Sequence, residues 1–102
     1  ISADIMTALG PNGVLINVGR GSAVDEAALI ACLADGRLGA AGLDVFADEP
    51  RVPAALIEMT ENVVLQPHHA SATHDTRDAM GQMMIDNIAA HFAGRPLISP
   101  VN

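Results

Sequence analysis

The chain alternates short, continuous apolar runs with stretches in which apolar residues recur at helical spacing. Continuous apolar runs are typical of strands that are buried on both faces of a parallel sheet. The sequence predicts strands at residues 13–17, 40–45 and 62–65, and helices at residues 2–9, 26–34, 54–59 and 73–92. Because strands and helices alternate, the predicted fold class is α/β, with three parallel strands, flanking helices and a long C-terminal helix.

Polar and glycine residues mark where these helices begin and end. Asp25 stands at an N-cap position, and Gly36 and Gly94 follow the second and the last helix. In the last helix, apolar residues recur every four positions, at Met80, Met84, Ile88 and Phe92. Met80, Met83 and Met84 are interpreted as helix-packing residues rather than as a ligand-binding methionine patch. Residues 97–102 are expected to form an extended tail.

Three parallel strands are few for a sheet that is covered on both faces. So small a sheet leaves apolar edges and part of a face without partners, which proteins avoid by adding strands or subunits. We therefore expect the chain to be one piece of a larger domain, or to bury an edge in an oligomer.

Composition narrows the class of protein. Apolar residues make up 50% of the 102 residues, which is enough for one domain with a core. The net charge is −7, and the charged residues form no long run of one sign, so nucleic acid is not an expected partner. No membrane association is expected, because there is no membrane-spanning apolar stretch and no signal-peptide pattern. Cys32 is the only cysteine, and we predict a buried thiol in a cytoplasmic protein.

One ionisable side chain closely follows each predicted strand. Arg20 follows the first strand within a Gly-Arg-Gly turn, Glu49 follows the second, and His68 follows the third. Because the carboxyl ends of parallel strands meet at one edge, these groups are expected to converge where open α/β sheets bind ligands. Arginine binds carboxylates through two parallel hydrogen bonds, and histidine exchanges protons near neutral pH. Each residue alone is more often a solvated loop side chain, and it is their joint placement that predicts a site.

A further candidate, Asp44, ends an otherwise apolar strand. A carboxylate is costly to bury unless it accepts hydrogen bonds. Backbone N–H groups of its own loop are one candidate for its partners.

The four histidines invite a metal hypothesis, but no metal is expected. His68 and His69 are adjacent in an extended segment, so their side chains point in opposite directions. His91 lies several helical turns from His74. No shared coordination sphere is therefore predicted.

Three motifs, in order along the chain, resemble the D-isomer-specific 2-hydroxyacid dehydrogenases, and within them the glyoxylate and hydroxypyruvate reductases. The motifs are Asn17-Val18-Gly19-Arg20-Gly21 with Val24-Asp25-Glu26, Gly42-Leu43-Asp44-Val45-Phe46 with Glu49-Pro50, and Pro67-His68. The resemblance implies that residues 1–69 are the C-terminal half of a Rossmann-like nicotinamide-binding domain. It also implies that residues 70–102 are a long helix and tail that return to the substrate domain.

The resemblance assigns roles to individual residues. Arg20 would bind the carboxylate of a small 2-keto acid, His68 would transfer the proton, and Glu49 would support the imidazolium form of His68. The residues that would bind NAD(P)H are Val18, Gly19, Arg20, Asp44, His68 and Ala70. The resemblance thus implies the nicotinamide as the other candidate partner of Asp44. Many family members carry glycine at the position of Ala70 and an aliphatic residue at that of His69. Because these differences lie near the substrate pocket, the sequence does not identify which 2-keto acid is the substrate.

The resemblance implies an enzyme that transfers a hydride between NAD(P)H and a small 2-keto or 2-hydroxy acid such as glyoxylate or hydroxypyruvate. It also implies that the enzyme is a homodimer. The alternatives are a noncatalytic nicotinamide-sensing or assembly module and a different Rossmann-type dehydrogenase. Val24 replaces the third glycine of a G-x-G-x-x-G phosphate fingerprint. We therefore expect the 102 residues alone to show no meaningful turnover and at most weak nicotinamide binding.

Overall fold

The computed structural model describes residues 1–101, which contain a three-stranded parallel sheet in the order β1-β2-β3. The predicted fold class is confirmed. The helices are α1 (Ala3–Leu9), α2 (Glu26–Ala34), α3 (Ala54–Glu58) and α4 (His74–Phe92), and the strands are β1 (Val14–Asn17), β2 (Ala40–Leu43) and β3 (Val63–Leu65). A short 3-10 turn, Gly21–Ala23, follows β1.

The register of the sheet aligns the carboxyl ends of its three strands. Asn17 pairs with Leu43, and Leu43 pairs with Leu65, so each strand ends at the same level. The predicted second strand was two residues too long. Val45 is buried like a strand residue, but β3 ends at Leu65 and offers no ladder partner beyond Leu43. The loops that follow the strands therefore leave the sheet along one edge.

The core lies between the sheet and the helices of residues 1–70. The largest fully buried side chains are those of Met6, Leu29, Leu38, Leu56 and Cys32. The predicted burial of Cys32 is thus confirmed. Asp25 caps α2 as expected, because its carboxylate accepts the N–H of Ala28 at 3.0 Å. Gly36, just beyond the end of α2, has a positive φ of 79°, which favours glycine.

The opposite face of the sheet carries exposed apolar side chains. Val14, Ile16 and Val64 are exposed by 57%, 65% and 62%. Ile16 lies across Gly42, where an added Cβ would approach its Cδ1 to 2.8 Å. A larger residue at position 42 would therefore displace the exposed end of the Ile16 side chain.

Residues 71–101 form a second compact unit built on α4. Thr73 caps this helix by accepting the N–H of Thr76 at 3.3 Å. The Asn87 side chain accepts the N–H groups of Ile98 and Ser99 at 2.9 and 3.2 Å, so the tail bends there. The predicted tail reaches Asn102, which lies outside the described residues.

The apolar residues of α4 that were predicted to pack are exposed within residues 1–101, so their packing stays a prediction. The exposed side chains include those of Met80, Met83, Met84, Ile88 and Phe92. Their periodicity does place them on a helix, but helical spacing alone does not supply the surface that would cover them. Across residues 1–101, none of the helices combines the length and apolar character needed to cross a bilayer.

Candidate functional site

The turn after β1 holds the Arg20 backbone firmly and leaves its side chain nearly free. The Asn17 side chain accepts the N–H of Gly19 at 3.1 Å and donates to the carbonyl oxygen of Arg20 at 3.0 Å. The Arg20 guanidinium is exposed and donates to the carbonyl of Gly19 at 2.7 Å. Arg20 therefore presents its charge at the sheet edge from a fixed backbone position.

Gly21 allows this turn to pack on the segment that follows β2. An added Cβ at Gly21 would lie 2.0 Å from the Phe46 carbonyl oxygen and 2.6 Å from the Ala47 nitrogen. Neither distance is possible for a real side chain, so glycine is required here. Gly19 is different, because a Cβ there would meet only the Asn17 Oδ1 atom, at 3.6 Å.

Glu49 lies in the loop after β2 and uses both carboxylate oxygens. Its Oε1 atom accepts the N–H of Phe46 at 3.0 Å, and its Oε2 atom lies 2.6 Å from Nδ1 of His68. The hydrogen bond with His68, then that from Phe46, and further the positive charge of Arg20 lower the pKa of Glu49. The carboxylate is thus ionised at neutral pH and can only accept hydrogen bonds.

His68 follows β3 in a conformation that is rare for a residue with a side chain. Its φ is 54°, in the left-handed region. Because an ionised Glu49 only accepts, the Nδ1 atom of His68 carries the shared hydrogen. The Nε2 atom is left as the ring nitrogen that can exchange a proton with a ligand.

Asp44 is a buried carboxylate that binds the segment after β3. Its Oδ1 atom accepts the N–H of His69 at 2.9 Å, and its Oδ2 atom accepts the N–H of Ala70 at 3.0 Å. These bonds, that of His69 first, lower the pKa of Asp44. The donors are backbone groups, as one of the two sequence hypotheses required, but they belong to the loop after β3 rather than to the loop of Asp44 itself.

A mostly apolar cavity of about 370 Å³ adjoins the His68 and Glu49 pair. Its apolar lining includes Phe46, Val52 and Leu65. The cavity provides space beside the ionisable pair for a small organic ligand.

The structure thus joins Glu49 to His68 directly and brings the charge of Arg20 within electrostatic range of Glu49. Val18 and Gly19 are exposed beside Arg20, and the N–H of Ala70 is occupied by Asp44. No group of three or more histidine, cysteine or acidic residues is arranged to hold a metal within residues 1–101.

Sequence reasoning missed two groups that shape this site. Asn17 holds the Arg20 turn, and the backbone N–H of Phe46 orients Glu49. Asparagine at a strand end just before a glycine turn is a detectable signal, since its side chain readily bonds nearby backbone groups. The contact of Phe46 is a backbone contact and leaves no trace in residue type.

Comparison with known proteins agrees with the three motifs. The family model described as D-isomer specific 2-hydroxyacid dehydrogenase, NAD binding domain, matches residues 1–70. A hydroxyphenylpyruvate reductase of Plectranthus scutellarioides is 54% identical over 101 residues, which make up 99% of this chain and 32% of that protein. A glyoxylate/hydroxypyruvate reductase A of Arabidopsis thaliana is 52% identical, with the same two shares.

A solved structure gives the same result for the fold. The crystal structure of an NADPH-dependent glyoxylate/hydroxypyruvate reductase from Sinorhizobium meliloti, in complex with NADP and malonate, is 53% identical with a TM-score of 0.85. The match covers 99% of this chain and 31% of that one. The chain therefore spans about a third of the length of the curated relatives it matches.

Proposed function

This chain belongs to the family of D-isomer-specific 2-hydroxyacid dehydrogenases, whose NAD-binding-domain model matches residues 1–70, and from that premise we propose a reaction for the complete gene product. It transfers a hydride between NAD(P)H and a small 2-keto or 2-hydroxy acid, with glyoxylate and hydroxypyruvate as the first substrates to test. The observation that carries the proposal is the 2.6 Å contact between His68 and Glu49 at the sheet edge where Arg20 places its charge.

The residues at this edge fit a nicotinamide. A carboxamide brings N–H donors, and Asp44 offers carboxylate oxygens that each keep a lone pair after accepting one backbone N–H. The exposed residues Val18, Gly19 and Ala70 supply the surrounding surface. When bound, the reduced nicotinamide supplies the hydride.

Arg20 is proposed to bind the substrate carboxylate. A guanidinium forms two parallel hydrogen bonds with a carboxylate and thereby fixes the orientation of the neighbouring keto group. The guanidinium of Arg20 is available for this because, within residues 1–101, its one hydrogen bond is to the adjacent Gly19 carbonyl. Its charge also stabilises negative charge that develops on the carbonyl oxygen.

His68 is proposed to deliver the proton that completes the reduction. The carbonyl carbon gains the hydride, the carbonyl oxygen takes the proton from Nε2, and the imidazolium becomes neutral imidazole. Glu49 orients the ring and stabilises its charged form through Nδ1. The same groups run the oxidation in reverse, with His68 as the base.

We also propose the domain arrangement and assembly that the sequence suggested. Residues 1–69 belong to the cofactor-binding domain, and residues 70–102 lead to the substrate domain of a cytoplasmic homodimer. Support comes from the compact unit that ends at Ala70 and from the apolar side chains exposed along α4, which a subunit or domain would cover. Light scattering of the complete gene product tests the dimer, and a monomer at micromolar concentration would contradict it.

A noncatalytic nicotinamide-sensing module is less well supported. The chain retains an imidazole in direct contact with a carboxylate, and the charge of Arg20 acts on that carboxylate, whereas a sensor needs no such pair for proton transfer. The relatives named above are reductases.

The substitution His68→Ala in the complete gene product tests the proposal. NADPH and NADH oxidation is followed with glyoxylate and with hydroxypyruvate. We expect kcat to fall by about 10²- to 10⁴-fold, the usual contribution of general acid catalysis, with cofactor affinity nearly unchanged. His91→Ala, which removes another exposed histidine, is the matched control and should retain activity. Unchanged turnover in His68→Ala would exclude the proton-donor role, and no turnover of either acid by the wild type would exclude these substrates.

A further inference from the structure

Asp44 is the buried carboxylate of residues 1–101, with 4% of its surface exposed. A buried charge is stable only when hydrogen bonds replace its hydration. Asp44 obtains them from two successive backbone N–H groups, one for each oxygen. The carboxylate therefore works as a clamp on the segment from His69 to Ala70, a segment that follows a different strand from its own.

The clamped segment begins immediately after His68. The N–H of His69 belongs to the peptide unit that leaves His68, so fixing its direction fixes the ψ angle of His68. This residue has a φ of 54° and is the non-glycine residue with a positive φ within residues 1–101. A side-chain-bearing residue keeps such a conformation only where its surroundings determine it.

Two carboxylates thus act on His68 from different directions. Glu49 holds the ring through Nδ1, and Asp44 holds the backbone that carries the ring. The ring of His69 lies beside the second contact, with its Nδ1 atom 3.7 Å from the Asp44 Oδ1 atom. Neither carboxylate alone would determine where Nε2 of His68 points.

We propose that Asp44 is a positioning residue for His68, in addition to any contact it makes with a cofactor. The inference rests on the proposed function, because a position for Nε2 matters only if this atom exchanges a proton. The two roles of Asp44 have different kinetic consequences. Loss of a cofactor contact raises the cofactor KM, whereas a misplaced His68 lowers kcat even when NADPH is saturating.

The test is Asp44→Asn in the complete gene product. The amide keeps the shape of the carboxylate but turns an NH₂ group toward one of the two backbone N–H groups, so one clamp bond becomes a donor facing a donor. We expect kcat with saturating NADPH and hydroxypyruvate to fall about 10- to 100-fold, the loss typical when a catalytic group is displaced by about 1 Å. The strongly hydrogen-bonded Nδ1 proton of His68 should also shift or broaden in the NMR spectrum.

Asp35→Asn is the matched control. Asp35 also accepts a backbone N–H, that of Arg37 at 3.2 Å, but it lies at the end of α2, toward the start of β2 and away from the carboxyl ends of the strands. It should leave kcat and the His68 proton signal unchanged. An unaltered kcat and an unaltered signal in Asp44→Asn would overturn the positioning role.

Hydrogen exchange keeps the inference testable if Asp44→Asn does not fold. In the wild type, the N–H groups of His69 and Ala70 should exchange slowly despite lying in an exposed loop. Exchange at the rate of free amides would overturn the clamp. If His68→Ala keeps its turnover while Asp44→Asn disturbs the His68 signal, the clamp stands and the proposed function fails.

Discussion

The Arg20 turn and the His68 loop lie at the same edge of the sheet but are held in different ways. In the Arg20 turn the backbone is fixed by Asn17, while among the described residues the guanidinium donates only to the Gly19 carbonyl. In the His68 loop both parts are fixed, the ring by Glu49 and the following backbone by a second carboxylate. The first region thus offers an exposed charge with one local hydrogen bond, and the second offers a ring whose orientation is fixed.

This difference matches what each group is proposed to do. A guanidinium that binds a carboxylate can adjust as the anion arrives, since the two hydrogen bonds themselves set the final geometry. A proton donor gains more from a fixed position, because transfer requires the donor and acceptor to approach within about 3 Å in the right direction. The molecule therefore fixes a side chain where the chemistry depends on its direction.

The largest effect on turnover is expected from Glu49→Gln, which removes the hydrogen bond that orients the His68 ring. The amide oxygen can still accept the N–H of Phe46, but the NH₂ group then faces Nδ1 of His68 and forces its hydrogen onto Nε2. The ring then has no acceptor at Nδ1 to hold its orientation during proton transfer, so we expect kcat in the complete gene product to fall about 100-fold or more. Steady-state kinetics with saturating NADPH measures this.

Glu58→Gln is the control for that substitution, because Glu58 is an exposed glutamate at the end of α3. It should leave kcat within error of the wild type. A Glu49→Gln variant with wild-type kcat would mean that the ring of His68 is oriented by something other than this carboxylate.

The next largest effect is expected from Gly21→Ala, which tests the contact between the Arg20 turn and the segment after β2. The new methyl group would collide with the Phe46 carbonyl, so the Arg20 turn and the segment that orients Glu49 must move apart. Such overpacking costs about 1–3 kcal/mol of stability or more. Thermal denaturation should show a lower Tm, and Gly19→Ala, whose methyl group has room, should show little change. Equal loss in the two variants would show that the Phe46 contact does not limit the turn.

Sequence reasoning succeeded where one kind of interaction decides the structure. Apolar runs and helical spacing are set by burial, so the strands, the helices and the shared edge of Arg20, Glu49 and His68 could be inferred from residue type. The α2 cap was equally readable, because Asp25 satisfies a local N–H group. These features depend on neighbours in sequence or on the order of the elements.

What could not be predicted depends on contacts between distant loops. The bond from His69 to Asp44 joins residues that are 25 positions apart, and no periodicity encodes it. The positive φ of His68 is a backbone property that histidine itself disfavours. The exposed apolar residues of α4 are a further example. Their spacing predicts a helix with an apolar face, but it does not predict which surface covers that face.

The smallest effect is expected from Arg20→Ala, measured as stability rather than as turnover. The guanidinium donates only to the adjacent Gly19 carbonyl within residues 1–101, and the turn is held by Asn17 and by the packing of Gly21. Removing the side chain should therefore change the free energy of unfolding by less than about 0.5 kcal/mol, as for most surface substitutions. Denaturant titration measures the free energy of unfolding of both variants, and the loss in Gly21→Ala is the reference for a large effect. If Arg20→Ala destabilises the protein as much as Gly21→Ala does, the guanidinium holds the turn itself, and the contrast between a free arginine and a fixed histidine disappears.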